Sequence, residues 1–486
     1  MTDTPSFRSF RLVCTPDEVD PALSLLRLQG FSFVPEPFHP QVFRLTAEPR
    51  PLGTSLAARF GLVYIQNRSS MLPPLVLAPP AGARVLDMCA SPGSKTGFLG
   101  QFVGHTGFVL GNEPSRNRLA TLRRNLQAMN LLQCATTSYP GEALPLGETP
   151  PPGDAPALDE NAPAAQAGWP YILLDPPCSG WGTVEKNPNV MQLWQGDKVL
   201  PLIGLQQKLL RRACALLAPG GRLVYSTCTT NVAENEEQVR FAVDTLGLEP
   251  VAITPPAGFS FANPQPGYEG YLRVNLPENH PSSSTAAGHG RGLQNTPDNE
   301  VFPANGEGGG QGFFVALFAK KAADTPQGNN ASSTTPSPNP FQCLPRAALE
   351  ATPFVDASLL PPGDVVAING NVRFLPALWR ESIPAGFQWK GFSLGKMQGE
   401  KRSPAQNFNQ VRVPAGLRRL MPSLETAQSR GLPVLNVEDT AIISQLLTGQ
   451  SVTVAGRDKE AGLYFRGLPL CRLVVKGTRA MLSQLF

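Results

Sequence analysis

The sequence predicts an α/β chain: a doubly wound, largely parallel sheet, with a small α+β segment before it and a β-rich region after it. Three observations predict this. From about residue 71 short apolar runs alternate with helical periodicities, the pattern of strands joined by crossover helices. Each of those apolar runs ends in polar or small residues, as strands do where they meet a ligand crevice. The last third loses the helical periodicity and keeps only short β-type runs.

The elements follow in order. Residues 1–70 form a small mixed N-terminal segment. There "CTPDEVDPALSLLRLQGF" opens on a Thr-Pro-Asp-Glu cap, continues through Leu23, Leu25, Leu26 and Leu28, and stops at Gly30. Residues 71–321 form the central domain, whose strands are "ARVLDMCA" (83–90), "GFVLGNE" (107–113), "YILLDPP" (171–177) and "GRLVYSTC" (221–228). Between the second and third, residues 115–131 place Leu119, Leu122, Leu126 and Met129 at spacings of three and four, an amphipathic helix. Before the fourth, "IGLQQKLLRRACALLAPGG" reads as a helix closed by Pro-Gly-Gly. "GFFVALFAKK" (312–321) is the final strand of this domain. Two irregular insertions, 147–168 and 278–311, and a linker, 322–342, are too poor in apolar residues to offset the entropy of ordering. Residues 343–486 are the C-terminal β-rich domain, with runs such as "VVAINGNVRFL" and "LCRLVV".

Composition narrows the class. The chain of 486 residues is 41% apolar, yet has no unbroken apolar run of the roughly 18 residues a membrane span needs. Its start, "MTDTPSFRSFRLVC", lacks the apolar core of a secretory signal. Eight scattered cysteines without a C-x-x-C pair point to a reducing, cytoplasmic setting. A monomer is expected. The net charge of +4 divides unevenly: residues 343–486 hold 17 Lys and Arg against 10 Asp and Glu, leaving 24 against 27 elsewhere. A basic appendage on a near-neutral body suits a polyanionic partner, although an ordinary solvated basic domain has the same composition.

The chemistry lies at the strand ends. In "LDMCASPGSKTGFL" (86–99) a strand ending in Asp87 meets small residues, Gly93 and then a helix, which lets backbone approach a ligand closely. It lacks the adjacent Gly-Lys of a phosphate loop. Glu113 ends the second run, where α/β nucleotide folds hold ribose hydroxyls; an incidental acid fits equally well there. In "DPPC" (175–178) paired prolines fix the directions of Asp175 and Cys178. Cys228 also ends a strand, and neighbouring strand ends lie about 5 Å apart. Two thiols and a carboxylate can therefore face one pocket. Such an inventory suits methylation of cytosine carbon 5: a thiolate adds to ring carbon 6, an acid kept neutral by burial supports ring nitrogen 3, and a second thiol assists release. Against this stands plain packing, the usual fate of a strand-end cysteine. Cys89 makes a three-thiol metal site conceivable, but no histidine or fourth cysteine completes one, and no metal is expected.

At these residues the chain resembles the Nop/Sun (Fmu/Sun) family of S-adenosylmethionine-dependent RNA cytosine-5 methyltransferases, most of all the bacterial RsmF-type enzymes of 16S, small-subunit ribosomal RNA. "GLVYIQNRSSMLPPLVL" (61–77), "VLDMCASPGSKT" (85–96), "LLDPPCSGWGTVEKNP" (173–188), "LLAPGGRLVYSTCTTNVAENEEQV" (216–239) and "GFFVALFAK" (312–320) carry the likeness. The resemblance implies an N-terminal RNA-binding segment over residues 1–70, a Rossmann-like methyltransferase domain and, at the C-terminus, a PUA-like RNA-binding domain, the last on "GFSLGKMQGEKRSPAQN" (391–407) and "LYFRGLPL" (463–470). It implies Cys228 as nucleophile, Cys178 as the thiol that helps release product, and Asp175 as the acid that also lines the cofactor site. Cys89, Ala90, Ser91, Pro92, Gly93, Ser94 and Lys95 would wrap S-adenosylmethionine, Lys95 also reaching substrate, and Glu113 would hold the ribose. One departure stands out: Pro140 occupies the place of the family's adenine-binding Asp, with Glu142 or a backbone carbonyl as the substitute. Ribosomal RNA is the expected partner and transfer RNA the alternative. Amine methylation and a non-catalytic RNA-binding or ribosome-assembly role are the competing readings.

Overall fold

The computed structural model describes residues 8–146, 168–183, 189–194, 196–262, 271–275, 313–322, 341–398, 410–454 and 459–482. The insertions expected at 147–168 and 278–311 and the linker 322–342 fall outside those residues except at their ends.

In the N-terminal segment, β1 (Ser9–Leu12), β2 (Ser32–Pro35), β3 (Val42–Ala47) and β4 (Val63–Ile65) form an antiparallel sheet in the order β2-β3-β1-β4. The helix Val19–Arg27 buries Leu23, Leu25 and Leu26 in the same apolar cluster as Phe10 and Phe43. Its start is the capping box the sequence predicts, with the Thr15 amide donating to Glu18 Oε2 at 2.8 Å.

The central sheet holds β5 (Arg84–Asp87), β6 (Phe108–Asn112), β7 (Cys134–Thr137), β8 (Trp169–Leu174) and β9 (Leu217–Thr227), parallel and ordered β7-β6-β5-β8-β9. Beyond β9 the sheet turns antiparallel through β10 (Glu249–Pro250), β11 (Ser260–Ala262), β12 (Tyr271–Asn275) and β13 (Phe314–Ala319). Alternation along each strand feeds two cores. Leu86, Leu110, Ile172, Leu174, Leu223 and Tyr225 join one face's cluster with the helix Leu200–Leu216. Val85, Val109, Leu173 and Val224 join the other with Leu119, Leu122 and Leu126 of the helix Arg116–Ala128. Helices on both faces explain why these strands are near-continuous apolar runs. Chain order reverses at β5, flanked by β6 and β8, so a crevice opens beyond the carboxyl ends of β5 and β8.

The helix Leu200–Leu216 ends before the Pro-Gly-Gly that the sequence predicts as its stop. Leu217 already pairs with Trp169, so Pro219, Gly220 and Gly221 lie inside β9, with Gly220 at φ +74°. The end is set instead by Lys320, whose ammonium donates to the Cys214 and Leu217 carbonyls at 2.9 and 2.8 Å.

The last third folds as two sheets. The first contains β14 (Gln342–Leu344), β15 (Gly363–Ile368), β16 (Asn371–Pro376), β18 (Phe392–Gln398) and β19 (Gln410–Arg412), while β17 (Trp389–Lys390) leaves it to pair with β7. Trp379, Phe387 and Trp389 pack against the central sheet's cluster, and Phe392 lies in the core of its own sheet. The second sheet orders β20 (Val434–Val437), β21 (Val452–Thr453), β22 (Glu460–Phe465), β23 (Leu468–Lys476) and β24 (Arg479–Leu482) as β20-β22-β23-β24-β21. Its Val437, Leu463 and Phe465 belong to the same cluster as Phe10 and Leu26, so the two ends of the chain share one core. The buried Arg418 ties them further, donating to Glu18 Oε1 and to the Val13 carbonyl, each at 2.7 Å.

Candidate active site

Three strand ends supply the site. After β5 the chain runs through Met88–Pro92 to Gly93, which caps the helix Ser94–Val103 at φ +103°, a conformation that favours glycine. The Ala90 amide donates to the Asn112 carbonyl at 2.9 Å, Ser91 Oγ to the Arg118 carbonyl at 3.1 Å, and Asn125 Nδ2 to the Pro92 carbonyl at 2.7 Å. The loop from Cys89 to Ser94 is thus fixed by β6 and the helix behind it. A Cβ on Gly111 would come 3.0 Å from that of Ala90, so glycine lets the loop close onto the sheet.

Asp87 is buried, with Oδ2 accepting from Thr96 Oγ1 at 2.6 Å and Oδ1 without a partner among the described residues. Burial pushes its acid up to about 7, with Asp175 adding to the rise and Thr96 and Lys95 opposing it. At the end of β6, Glu113 accepts from the Ser115 amide at 2.9 Å and pairs with Arg118 at 3.3 Å; its own side chain is 2% exposed, that of Arg118 56%. An orphaned buried acceptor, a second carboxylate and a glycine-tightened loop at a switch point fit a nucleoside-type cofactor with amine and hydroxyl donors. Pro140 and Glu142, the positions weighed for the adenine, are both exposed. The nearby polar contacts belong instead to buried Asn112, whose amide joins the Met88 and Tyr139 carbonyls at 3.2 and 3.0 Å.

From β8, Asp175 follows Leu174 directly. Its Oδ2 accepts from Lys95 Nζ at 2.7 Å and its Oδ1 from Ser226 Oγ at 2.7 Å. Both carboxylate oxygens are engaged, one by the Lys95 ammonium and one by the Ser226 hydroxyl. Burial alone would push the Lys95 ammonium down; attraction to Asp175, Cys228 and Asp87 outweighs it, and the net shift is upward.

Cys178 and Cys228 meet with Sγ atoms 3.3 Å apart. Both are free and partly accessible. The geometry permits either sulfur to donate. The hydrogen bond from Cys178 lowers the Cys228 thiol below its ordinary value, against burial and Asp175 and with help from Lys95. Cys178 is raised well above the usual range by that same bond and by burial. Cys89 is raised by burial, and among the described residues no three His, Cys, Asp or Glu side chains gather as a metal site.

The sequence reading missed Glu234. It is fully buried, and its Oε1 accepts from the Ser179 amide and from Gln206 Nε2, each at 2.9 Å. Its Oε2 accepts from Ser179 Oγ and, at 3.1 Å, from Asn231 Nδ2. Glu234 therefore joins the segment after Cys178 to the one after Cys228. Arg11 was missed too: wholly buried, it reaches from β1 to the Ser94 carbonyl at 3.4 Å and to Gln66 and Gln101.

A doubly wound sheet whose cofactor loop, carboxylates and paired thiols meet at the β5/β8 switch point defines a Rossmann-like, S-adenosylmethionine-dependent methyltransferase. Residues 74–319 match the family described as 16S rRNA methyltransferase RsmB/F, and the chain belongs to that family. It is 31% identical over 394 residues to the ribosomal RNA small subunit methyltransferase F of Salmonella heidelberg, covering 79% of this chain and 76% of that one. The protein of the same name from Cronobacter sakazakii is 34% identical over 282 residues; that match covers 56% of this chain and only about half, 54%, of the relative. Among solved structures, PH0851 superposes with a TM-score of 0.50 at 23% identity, covering 66% of this chain and 60% of that one, a likeness of fold.

Proposed function

We propose that this chain methylates carbon 5 of a cytosine in RNA, with small-subunit ribosomal RNA as the substrate. The observation that carries the reading is the 3.3 Å approach of Cys178 and Cys228 beside the Lys95–Asp175 pair. The names of the relatives support the ribosomal substrate. S-adenosylmethionine supplies the electrophilic methyl group. Asp87, Glu113 and the backbone of 89–94 would hold it.

The steps follow from the residues. The Cys228 thiolate adds to carbon 6 of the cytosine, and the ring's C5=C6 electron pair becomes available at carbon 5. The proton shared by Lys95 and Asp175 meets the charge that develops on nitrogen 3 and the neighbouring carbonyl. After carbon 5 takes the methyl group it also carries a proton. A base removes that proton, the C5=C6 bond re-forms, and the sulfur of Cys228 departs as thiolate. Cys178, with its sulfur 3.3 Å from the departing one, assists this elimination more than the addition, so its loss leaves the adduct standing.

Trapping with RNA containing 5-fluorocytosine tests the scheme, because fluorine at carbon 5 blocks the final elimination. Wild type is expected to form a covalent protein–RNA complex and Cys228→Ser none. Cys178→Ala is expected to accumulate adduct with unmodified RNA. Equal trapping by Cys228→Ser would remove the nucleophile from the scheme.

A further inference from the structure

We propose that the outer face of the first C-terminal sheet, together with the helix Arg116–Ala128, forms a phosphate-binding seam for the RNA backbone outside the catalytic crevice. The inference rests on the RNA-methylating reading and adds where the RNA lies.

Cross-strand register defines the seam. Ile368, Asn371, Lys396 and Arg412 form one row across β15, β16, β18 and β19; Val366, Arg373 and Ser393 form the next on the same face. At the β15 end both rows are apolar, and Val366 and Ile368 are packed into the central sheet's core. Past β16 the same face turns basic, with Arg373 half-buried and Lys396 and Arg412 exposed. Lys396 and Arg412 stand directly opposite each other, an unfavourable pairing unless anions attend it.

Two further cations border the face. Lys390 on β17 sits opposite Thr136, and Arg123 donates to the Thr136 hydroxyl at 2.9 Å. The Arg123 helix is joined to β18 by Gln127, which donates to the Ser393 carbonyl at 3.0 Å. Lys390 is pushed down from its ordinary value chiefly by Arg123, then by burial and by Arg373. Other arginines of the C-terminal third are matched: Arg380, Arg418, Arg430 and Arg472 each have a carboxylate within 2.7–2.8 Å. Among the described residues none of Arg123, Arg373, Lys390, Lys396 and Arg412 forms an ion pair. Mutually repelling cations gathered from two parts of the chain, without counter-charges among the described residues, match a polymer carrying one negative charge per residue.

The test uses the full chain and a 16S rRNA transcript. Arg373→Gln, Lys390→Gln and Lys396→Gln are combined and compared with a variant carrying Lys208→Gln, Arg211→Gln and Arg222→Gln, three exposed cations of the central domain. Every phosphate that is no longer neutralised by a side chain lowers the slope of log K against log salt by about 0.7–0.9. The seam variant should lose about 2 units of slope and at least tenfold in affinity at about 0.15 M salt, with the comparison variant near wild type. Binding of S-adenosylmethionine and the alkylation rate of Cys228 should not change. Equal losses in the two variants, an unchanged slope, or binding to an acidic polypeptide as strong as to the transcript would each overturn the seam and leave the catalytic scheme standing. A wild-type chain with no salt-dependent RNA affinity, by contrast, overturns the RNA-methylating reading and the seam with it.

Discussion

Glu234 offers the sharpest test of how the two thiols are held together. Replacing it by Ala removes the acceptor of four hydrogen bonds, but the donors do not suffer equally. Ser179 Oγ retains Thr229 Oγ1 at 2.7 Å, Gln206 Nε2 retains the Pro177 carbonyl at 2.9 Å, and Asn231 is accessible to water. The buried Ser179 amide alone is left without a partner, a cost of about 1–3 kcal/mol. Adding the void left by the deleted side-chain atoms, Glu234→Ala should cost about 3–4 kcal/mol. That corresponds to a melting midpoint lower by roughly 6–15 °C. Glu234→Gln keeps Oε1 for Ser179 and Gln206, while Ser179 Oγ can turn its hydrogen to Thr229 and accept from the new amide. Its cost should stay near 1 kcal/mol. Adduct formation with 5-fluorocytosine RNA should fall about 10²-fold in Glu234→Ala, since a thiol displaced by about 1 Å loses that much. Thermal melts and trapping kinetics on both variants provide the check. If Glu234→Ala melts and traps like wild type, or Glu234→Gln fails as badly as Ala, the positioning argument is wrong.

Two further outcomes follow from protonation. The rate of Cys228 alkylation should rise through a pH below that of an ordinary thiol, and Cys178→Ala, which removes the donor, should move that rise to higher pH; alkylation rate against pH, read by mass spectrometry at Cys228, measures it. Asp87 binds its proton more tightly in the folded chain, up to about 7 against 3.8 unperturbed, so between those values the folded state holds the extra proton and stability falls as pH rises. Asp87→Asn should flatten that decline and weaken S-adenosylmethionine binding; urea midpoints from pH 4 to 8, with calorimetry for the cofactor, would reveal either failure.

Much of this site was legible because it follows strand periodicity and turn chemistry, which are local. The alternation that put Leu86 and Leu174 in a core also put Asp87 and Asp175 at strand ends, and Gly93 and the paired prolines fixed what followed. Cys178 and Cys228 could be brought together from the sequence because neighbouring parallel strands leave little choice. The illegible parts depend on contacts between remote segments. Glu234 lies in "AENEEQV", an acidic run with the composition of a solvated surface, and only burial distinguishes it from Glu237, which is exposed. Arg11 reads as an ordinary strand residue, yet its guanidinium fills space that the missing side chain of Gly97 leaves open: a Cβ there would come 2.7 Å from Nη2. No local signal placed Trp389 and Lys390 against β7. The contact of Asp175 with Lys95 joins residues eighty positions apart and has no local signal either.

The period-two geometry of β9 explains why one strand end serves both the thiols and the acid. Ser226 and Cys228 are two residues apart and lean to the same side, whereas Thr227 points away to Asn235 Oδ1, 2.6 Å distant. Ser226 donates to the Asp175 oxygen that Lys95 does not use, so the position of Cys228 is referred to the same carboxylate that anchors the cofactor loop through Lys95. The Gly182 amide donates to the Cys228 carbonyl at 3.1 Å and holds the chain after Cys178 against the chain carrying Cys228. A shift of the 89–95 loop is therefore coupled through Lys95, Asp175 and Ser226 to the Cys228 sulfur. In such a connected network the loop and the thiol cannot be positioned independently, and variants at Lys95 and Ser226 should be non-additive in their effect on trapping.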